Sequence, residues 1–178
     1  LAMGTFDDVN AISKIAVNTH LAGAAGTVTG AALTRLIGGK TDIVMMLNGA
    51  LAGLVAITAE PLTPGPITAM IIGSIGAVIM YYGTKLLENL GLDEVVGAIP
   101  VHMFAGIFGT LVVPLTNTDT LFGTQLIGVI SVCVFSFGLS WITFSTLKST
   151  IGLRISKAAE KQGTDKAEVG VIAYSIRD

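Results

Sequence analysis

The chain has 178 residues, of which 52% are hydrophobic and only 12% are charged. Because a soluble domain carries about 25% charged residues, this composition excludes an ordinary soluble globular protein. The net charge of −2 also lacks the basic excess that is typical of nucleic-acid-binding proteins. A membrane protein without a nucleic-acid partner is therefore expected.

Five apolar segments approach or exceed the roughly 20 helical residues that cross the hydrocarbon core of a bilayer. In chain order they cover residues 9–36, 43–59, 67–87, 95–115 and 121–151. The breaks between them carry turn-forming residues, as in EPLTPGP at 60–66. The sequence therefore predicts an all-α, polytopic transmembrane helix bundle over residues 1–151. A charged, cytoplasmic C-terminal tail is predicted over residues 152–178.

The distribution of basic residues predicts how the bundle is oriented. The loops at 60–66 and 116–120 contain no lysine or arginine, whereas nearly all basic residues fall at the opposite ends of the predicted spans. Because cytoplasmic loops are enriched in Lys and Arg, we expect a multi-pass cell-membrane protein with an external N-terminus. Lys14 lies inside the first span, and we expect it to snorkel or to sit beyond the outer boundary.

Glycine and alanine recur at three- and four-residue spacing in the first four spans, as in AGAAGTVTGAA at 22–32 and GALAG at 49–53. Helices in lipid associate by close approach of their backbones, which small residues permit. The pattern predicts a compact bundle rather than separate membrane anchors.

His102 is an ionisable residue about two turns into the fourth predicted span. Such residues are costly at membrane depth and are candidates for function. Apolar surroundings favour the neutral imidazole, which can both donate and accept a hydrogen bond and could relay a proton or a small amphoteric solute. The alternative is a structural hydrogen bond between helices. We also expect Pro100 to remove a helical hydrogen bond just before His102 and to loosen the backbone there.

Other polar residues in the spans favour structural roles. His20 is expected to pack among small residues, Asn48 to bond across helices or cap a small kink, and Asp93 and Glu94 to cap the fourth helix. His102 has no Cys, Asp or Glu at metal-ligand spacing. The chain also shows no nucleophile–base pair, phosphate loop or nucleotide motif, so the residues predict no enzyme, metal or cofactor.

Four segments in order resemble the Amt/Mep/Rh ammonium transporter family. They are AVNTHLAGAAG (16–26), NGALAGLVAIT (48–58), LDEVVGAIPVHMFAGIFGTL (92–111) and GLRISKAAEKQGTDKAEVGVIAY (152–174). Family members have eleven spans, the first ten forming two inverted five-helix repeats. The present chain resembles spans seven to eleven, which implies the C-terminal half of the ammonium-transporter fold, with the N-terminal half supplied elsewhere.

The resemblance implies a homotrimer in which each subunit has its own narrow hydrophobic pore. Ammonium would be recruited and deprotonated outside, and neutral ammonia would pass two stacked histidines, of which His102 matches the second. Leu51 and Ala98 would line this pore, and Thr58 would lie near its outer mouth. The expected function is a channel or transporter for nitrogen uptake. The alternatives are an ammonium-sensing receptor module and a non-conducting half-transporter that only packs into trimers.

The tail keeps five residues of the family pattern, namely Gly163, Asp165, Gly170, Ala173 and Tyr174. Val169 and Val171 stand where the family has histidine and glutamate. These departures affect the segment that would contact the neighbouring subunit and the PII signalling protein, so PII is left open as a partner.

Overall fold

A computed structural model describes residues 4–173 of the chain, which are helical with connecting loops. The helices are α1 (Phe6–Gly38), α2 (Ile43–Thr58), α3 (Pro66–Asn89), α4 (Ile99–Thr116), α5 (Phe122–Thr150) and α6 (Lys157–Gln162). Helix α4 begins with a π-helical segment, Ile99–Phe104, and a second π-helical turn, Asp165–Val169, follows α6. Each of the five predicted spans coincides with a helix, α1 to α5. The chain divides into two compact units, Leu1–Ile130 and Ser131–Asp178.

Three of these helices, α3, α4 and α5, are long and apolar enough to cross a membrane on their own. Helix α2 is apolar but has only 16 residues, which is about 24 Å of helix. Helix α1 has 33 residues, so it is long enough to cross a membrane, but it is less apolar than α3, α4 and α5. Some polar residues of α1, such as Asn18, are fully buried against other parts of the chain. The lower apolarity of α1 therefore does not mean that its polar residues face lipid.

The helix ends follow the turn chemistry of the sequence. Thr5 and Asp8 form a reciprocal capping box at the start of α1, and the Asp42 carboxylate accepts a 3.0 Å hydrogen bond from the backbone N–H of Met45 at the start of α2. Helix α3 begins with a proline at Pro66, where the missing N–H would have no helical partner. The starts of these three helices are therefore determined by local residues.

Small residues hold α1, α2 and α3 together, as predicted. A Cβ atom on Gly49 of α2 would lie 2.6 Å from the carbonyl oxygen of Gly26 on α1. A Cβ atom on Gly73 of α3 would overlap the backbone of Ala22 on α1. Ala22 in turn belongs to a buried cluster that includes Ile57 and Ile72. Glycine at Gly49 and Gly73 lets the backbones of α2 and α3 each approach the backbone of α1 closely.

Replacing Gly73 with valine is expected to lower the thermal unfolding midpoint of the purified protein in detergent. The added side chain has no space beside the Ala22 backbone, and overpacking of this kind costs about 1–3 kcal/mol or more. Gly128 on α5 is the matched control, because a Cβ atom there meets no atom within 4 Å. Equal midpoints for the Gly73→Val and Gly128→Val proteins would contradict this account of the packing.

Helix α5 differs from the other long helices because none of its residues is buried. Large apolar side chains are exposed all around it, among them Phe135, Trp141 and Phe144. A helix that is apolar on every side is typical of one surrounded by lipid or by further protein. It is the most hydrophobic of the three helices that could cross a membrane by themselves.

The tail forms a small folded segment of its own. The C-terminal caps of α6 and of the π-helical turn are Gly163 and Gly170, whose φ angles are 94° and 75°. The Asp165 carboxylate accepts a 2.9 Å hydrogen bond from the backbone N–H of Ala173, and this bond lowers the pKa of that carboxyl. Four of the five family-like tail residues thus have local structural roles, and Tyr174 lies outside the described residues.

Candidate functional site

The predicted pore residues lie where α2 packs against the start of α4. Val101 is 1% exposed and shares a buried cluster with Ala52 of α2 and Met80 of α3. His102 directly follows Val101 and is exposed, and Leu51 directly precedes Ala52 and is 46% exposed. The two candidate residues therefore flank members of one core cluster, and both lie on the surface of this chain.

His102 lies at the level of the middle of the helix bundle. Its neighbour Val101 packs against Ala52, nine residues into α2, and against Met80, nine residues before the end of α3. Nine helical residues span about 14 Å, which is close to half the thickness of the hydrocarbon core. His102 is nevertheless the fourth residue of α4, so the prediction that it lies two turns into its helix was wrong.

The difference arises because the chain enters the bundle in an irregular conformation before α4 begins. Val95 and Val96, which were predicted to be helical, lie outside the helix, and Gly97 has a φ angle of 85°. Gly97 also has no room for a side chain, because a Cβ atom would overlap the Asn48 amide. A side chain at this position would be both strained and excluded.

The polar groups of this irregular segment have partners. The Asn48 amide donates a 3.1 Å hydrogen bond to the carbonyl oxygen of Val96, so Asn48 has a structural role as predicted, although its partner lies in the non-helical segment before α4 and not in a helix. The Glu94 carboxylate accepts hydrogen bonds from the backbone N–H groups of Gly97 and Ala98, which precede α4. Asp93 and Glu94 therefore lie before the helix and do not open it as predicted, because α4 begins at Ile99. Non-helical backbone at membrane depth is tolerated only when protein or a water-filled cavity satisfies it. Asn48 and Glu94 meet that requirement.

Pro100 acts differently from the prediction. It occupies the first turn of α4, where a backbone N–H has no helical partner, so it removes no helical hydrogen bond. The backbone around His102 is instead widened into a π-helical turn, in which the N–H of Ala105 donates to the carbonyl oxygen of Pro100, five residues earlier. Single π-helical turns occur frequently at functional sites.

The His102 imidazole makes no hydrogen bond with any of residues 4–173. Within this part of the chain, the structure therefore provides no support for the alternative of a helix-to-helix hydrogen bond. Both ring nitrogens are available to a solute or to a residue supplied from elsewhere.

Ala98 and Thr58 are both exposed, as are Leu51 and His102. Ala98 lies four residues before His102, one turn earlier along the chain. The Thr58 hydroxyl donates a 2.6 Å hydrogen bond to the carbonyl oxygen of Leu54 within its own helix. Thr58 is the last residue of α2, so it lies at the end of the bundle opposite the loop between α1 and α2.

His20 does not have the packing role that was predicted for it. It is exposed on α1, and its Nδ1 atom lies 2.7 Å from the carbonyl oxygen of Ala16 one turn earlier. This local bond satisfies one ring nitrogen without a second helix. His20 and His102 therefore differ, because only His20 has a partner within the described chain.

Sequence reasoning missed a polar cluster at the loop between α2 and α3. The fully buried Asn18 amide donates to the carbonyl oxygens of Pro61 and Pro64, at 2.8 and 2.9 Å. The Glu60 carboxylate accepts a 3.1 Å hydrogen bond from the Asn117 amide. Burial would raise the pKa of Glu60, but the bonds from Asn117 and from neighbouring backbone N–H groups outweigh it and lower that pKa. Pro61 and Pro64 were the available signal in the sequence, because prolines interrupt helices and leave nearby carbonyl oxygens without helical partners.

A bundle of small-residue helices with an irregular segment leading to an unpaired histidine at mid-level is typical of a membrane transport protein. A family model described as the Ammonium Transporter Family matches residues 3–174. The chain belongs to that family.

Two curated relatives illustrate the match. The ammonium transporter Amt2 of Archaeoglobus fulgidus is 42% identical, over 92% of this chain and 39% of the relative. The ammonium transporter of Corynebacterium glutamicum is 30% identical, over 97% of this chain and 42% of the relative. This chain therefore spans about two fifths of the length of these relatives. They are named as transporters rather than as enzymes.

Solved structures show the same fold. A protein titled "Sensor Amt Protein" matches with a TM-score of 0.82 and 31% identity, over 88% of this chain and 42% of that one. A variant of Candida albicans Mep2 matches with a TM-score of 0.74 and 26% identity, over 88% of this chain and 39% of that one. The all-α ammonium-transporter fold is thereby confirmed, and the protein is a multi-pass membrane protein.

Proposed function

We propose that this chain supplies one wall of an ammonium/ammonia pathway in a complete transporter, with His102 as the relay residue. The observation that carries the proposal is the unpaired, exposed imidazole of His102 at the middle level of the bundle. A small polar solute in an apolar pore loses its hydration, and leaving it unpaired costs about 2 kcal/mol or more. A neutral imidazole offers one donor and one acceptor to such a solute and does not hold the cation as a carboxylate would.

The other wall of the pathway is proposed to come from the missing N-terminal half. Leu51 and Ala98 are exposed here and would line the pore, with Thr58 near the outer mouth. In transporters built from inverted repeats, the path lies between the two halves. The complete protein is proposed to assemble as a homotrimer in the cell membrane. The tail residues Val169 and Val171 are exposed. Binding of a PII protein, if it occurs, would be tested at the tail surface that contains them.

The proposed orientation places residues 1–151 in the membrane, with the N-terminus external and the tail of residues 152–178 cytoplasmic. A cysteine at Thr118, between α4 and α5, should therefore react with an impermeant thiol reagent applied to intact cells. A cysteine at Lys161 should react only after the cells are made permeable. The native Cys133 is replaced by serine in both proteins, so that the introduced cysteine is the thiol that reacts with the reagent. The reverse labelling pattern would overturn the orientation.

Sensing is the second candidate function, because the protein titled "Sensor Amt Protein" shares the fold at a TM-score of 0.82. A sensor would bind ammonium without net transport, whereas a transporter would conduct. Reconstitution of the complete protein in vesicles separates the two, because only the transporter gives a saturable ammonium-dependent current or a net uptake of ammonia. Absence of both from correctly assembled, complete protein would refute the proposed transport.

A further inference from the structure

One end of the bundle contains an open cavity that the proposed pathway does not use. It has a volume of about 340 Å³ and lies between the last turn of α1, the loop before α2 and the last turns of α3. Its lining includes Thr34, Lys40, Asp42, Tyr81 and Lys85. These are mainly groups that can donate hydrogen bonds or carry positive charge.

Two of the polar groups in the cavity are already occupied by the fold. The Thr34 hydroxyl donates to the carbonyl oxygen of Gly30 at 3.0 Å and accepts from the backbone N–H of Asp42 at 3.2 Å. The Asp42 carboxylate, the acidic member of the lining, accepts the 3.0 Å bond from the N–H of Met45. These bonds fix the loop that forms one wall of the cavity.

The Tyr81 hydroxyl, by contrast, is available. Tyr81 is only 5% exposed and lines the cavity, yet its hydroxyl makes no hydrogen bond with the described residues. The hydroxyl oxygen itself is not buried, so it can be reached from the cavity. A tyrosine hydroxyl beside ammonium groups is suited to donate to an oxygen of a ligand that accepts hydrogen bonds.

The two lysines supply the positive charge. Lys40 forms no ion pair with any of residues 4–173, and the Nζ atom of Lys85 lies 3.0 Å from a Glu88 carboxylate oxygen. The Lys85 and Glu88 side chains are 48% and 55% exposed, and exposed pairs of this kind contribute little to stability. Both ammonium groups can therefore turn toward an anionic ligand without a large loss elsewhere.

The cavity also lies at the level of a membrane surface. Lys40 precedes α2 and Lys85 lies one turn from the end of α3, so both are at the end of the bundle opposite the loop between those helices. Tyrosines and lysines at helix ends are typical of the headgroup region, where basic residues attract anionic lipids. We propose that the cavity binds the phosphate group of a phospholipid headgroup. Its assignment to the cytoplasmic leaflet rests on the orientation proposed above.

Lipid titration of the purified protein in detergent, followed by native mass spectrometry, tests this site. The probes are phosphatidylglycerol, diacylglycerol with the same acyl chains, and soluble glycerol 3-phosphate. We expect the protein to bind phosphatidylglycerol about tenfold more tightly than diacylglycerol. The Lys40→Gln/Tyr81→Phe protein should lose most of that difference. Tyr81→Phe alone, which removes one hydroxyl, should lose part of it.

Two control variants lie outside the cavity. Tyr82→Phe changes the neighbouring tyrosine, which is 57% exposed and does not line the cavity, and Lys14→Gln removes an exposed lysine of α1. Both should bind phosphatidylglycerol as the unmodified protein does. Unchanged preference in the folded cavity variants would overturn the site. If glycerol 3-phosphate binds as tightly as phosphatidylglycerol, and the cavity variants weaken that binding, then the natural ligand is a soluble phosphate and not a lipid headgroup. None of these outcomes depends on ammonium transport, so the two proposals can fail separately.

Discussion

Replacing His102 with alanine should lower ammonium-dependent current at least about 30-fold in a complete transporter that carries this sequence as its second half. The estimate follows from the loss of the hydrogen-bonding partner at the middle of an apolar path. A desolvated polar solute left unpaired there costs about 2 kcal/mol or more, and about 1.4 kcal/mol corresponds to a tenfold change in rate. The current is measured in vesicles reconstituted with equal amounts of each protein.

Membrane insertion, oligomeric state and thermal unfolding midpoint should remain close to those of the unmodified protein. The imidazole is exposed and makes no hydrogen bond within the described residues, so its removal leaves no buried group unpaired in this chain. His20→Ala is the matched control, because His20 is also exposed but bonds only to Ala16 of its own helix. That variant should conduct normally. Full current through the His102→Ala protein would refute the relay assignment.

The helices of the bundle could be predicted because their determinants are local. Apolar length, turn residues and the spacing of small residues are all visible in the sequence, and α1 to α5 follow them. The contact between Gly26 and Gly49 is an example, since glycines in two apolar helices indicate by themselves that the backbones approach closely. The spacing of the small residues could not, however, predict which glycine contacts which carbonyl oxygen.

The start of α4 was mispredicted because hydropathy does not distinguish an apolar helix from an apolar irregular segment. Val95 and Val96 continue the hydrophobic run, but the Glu94 carboxylate binds the next free N–H groups and Gly97 adopts a positive φ angle. Those interactions fix the helix start at Ile99, four residues later than the apolar pattern indicated. The Asn48 bond to Val96 depends on this non-helical backbone.

The candidate site could be predicted only in part. His102 was selected as a candidate because an ionisable residue in an apolar span is rare, but its exposure depends on packing between distant segments, which spacing does not encode. Asn18 was missed for the same reason, since its partners lie more than 40 residues away in the loop between α2 and α3. In the sequence, Asn18 looks like any other polar residue in a helix of small residues, and only the folded position of that loop shows its role.

The chain expressed by itself should give no ammonium-dependent current above background. His102, Leu51 and Ala98 all lie on its exposed surface, so the described chain does not enclose them in a pathway. If the halves are related as inverted repeats, the path lies between them, and one half provides a single wall. Co-expression with a six-span fragment that matches the first half of a family member should restore current in the same vesicle assay.

The same co-expression with the His102→Ala chain serves as the control, because it should assemble with the fragment yet conduct at least about 30-fold less by the solvation argument above. This comparison separates failure to assemble from failure to conduct, since both pairs can be recovered through a tag on the fragment. Current should thus require two things together, namely the second wall and the imidazole at its centre. A robust, saturable ammonium current from the single polypeptide would show that it encloses a pathway without the other half and would refute the half-transporter proposal.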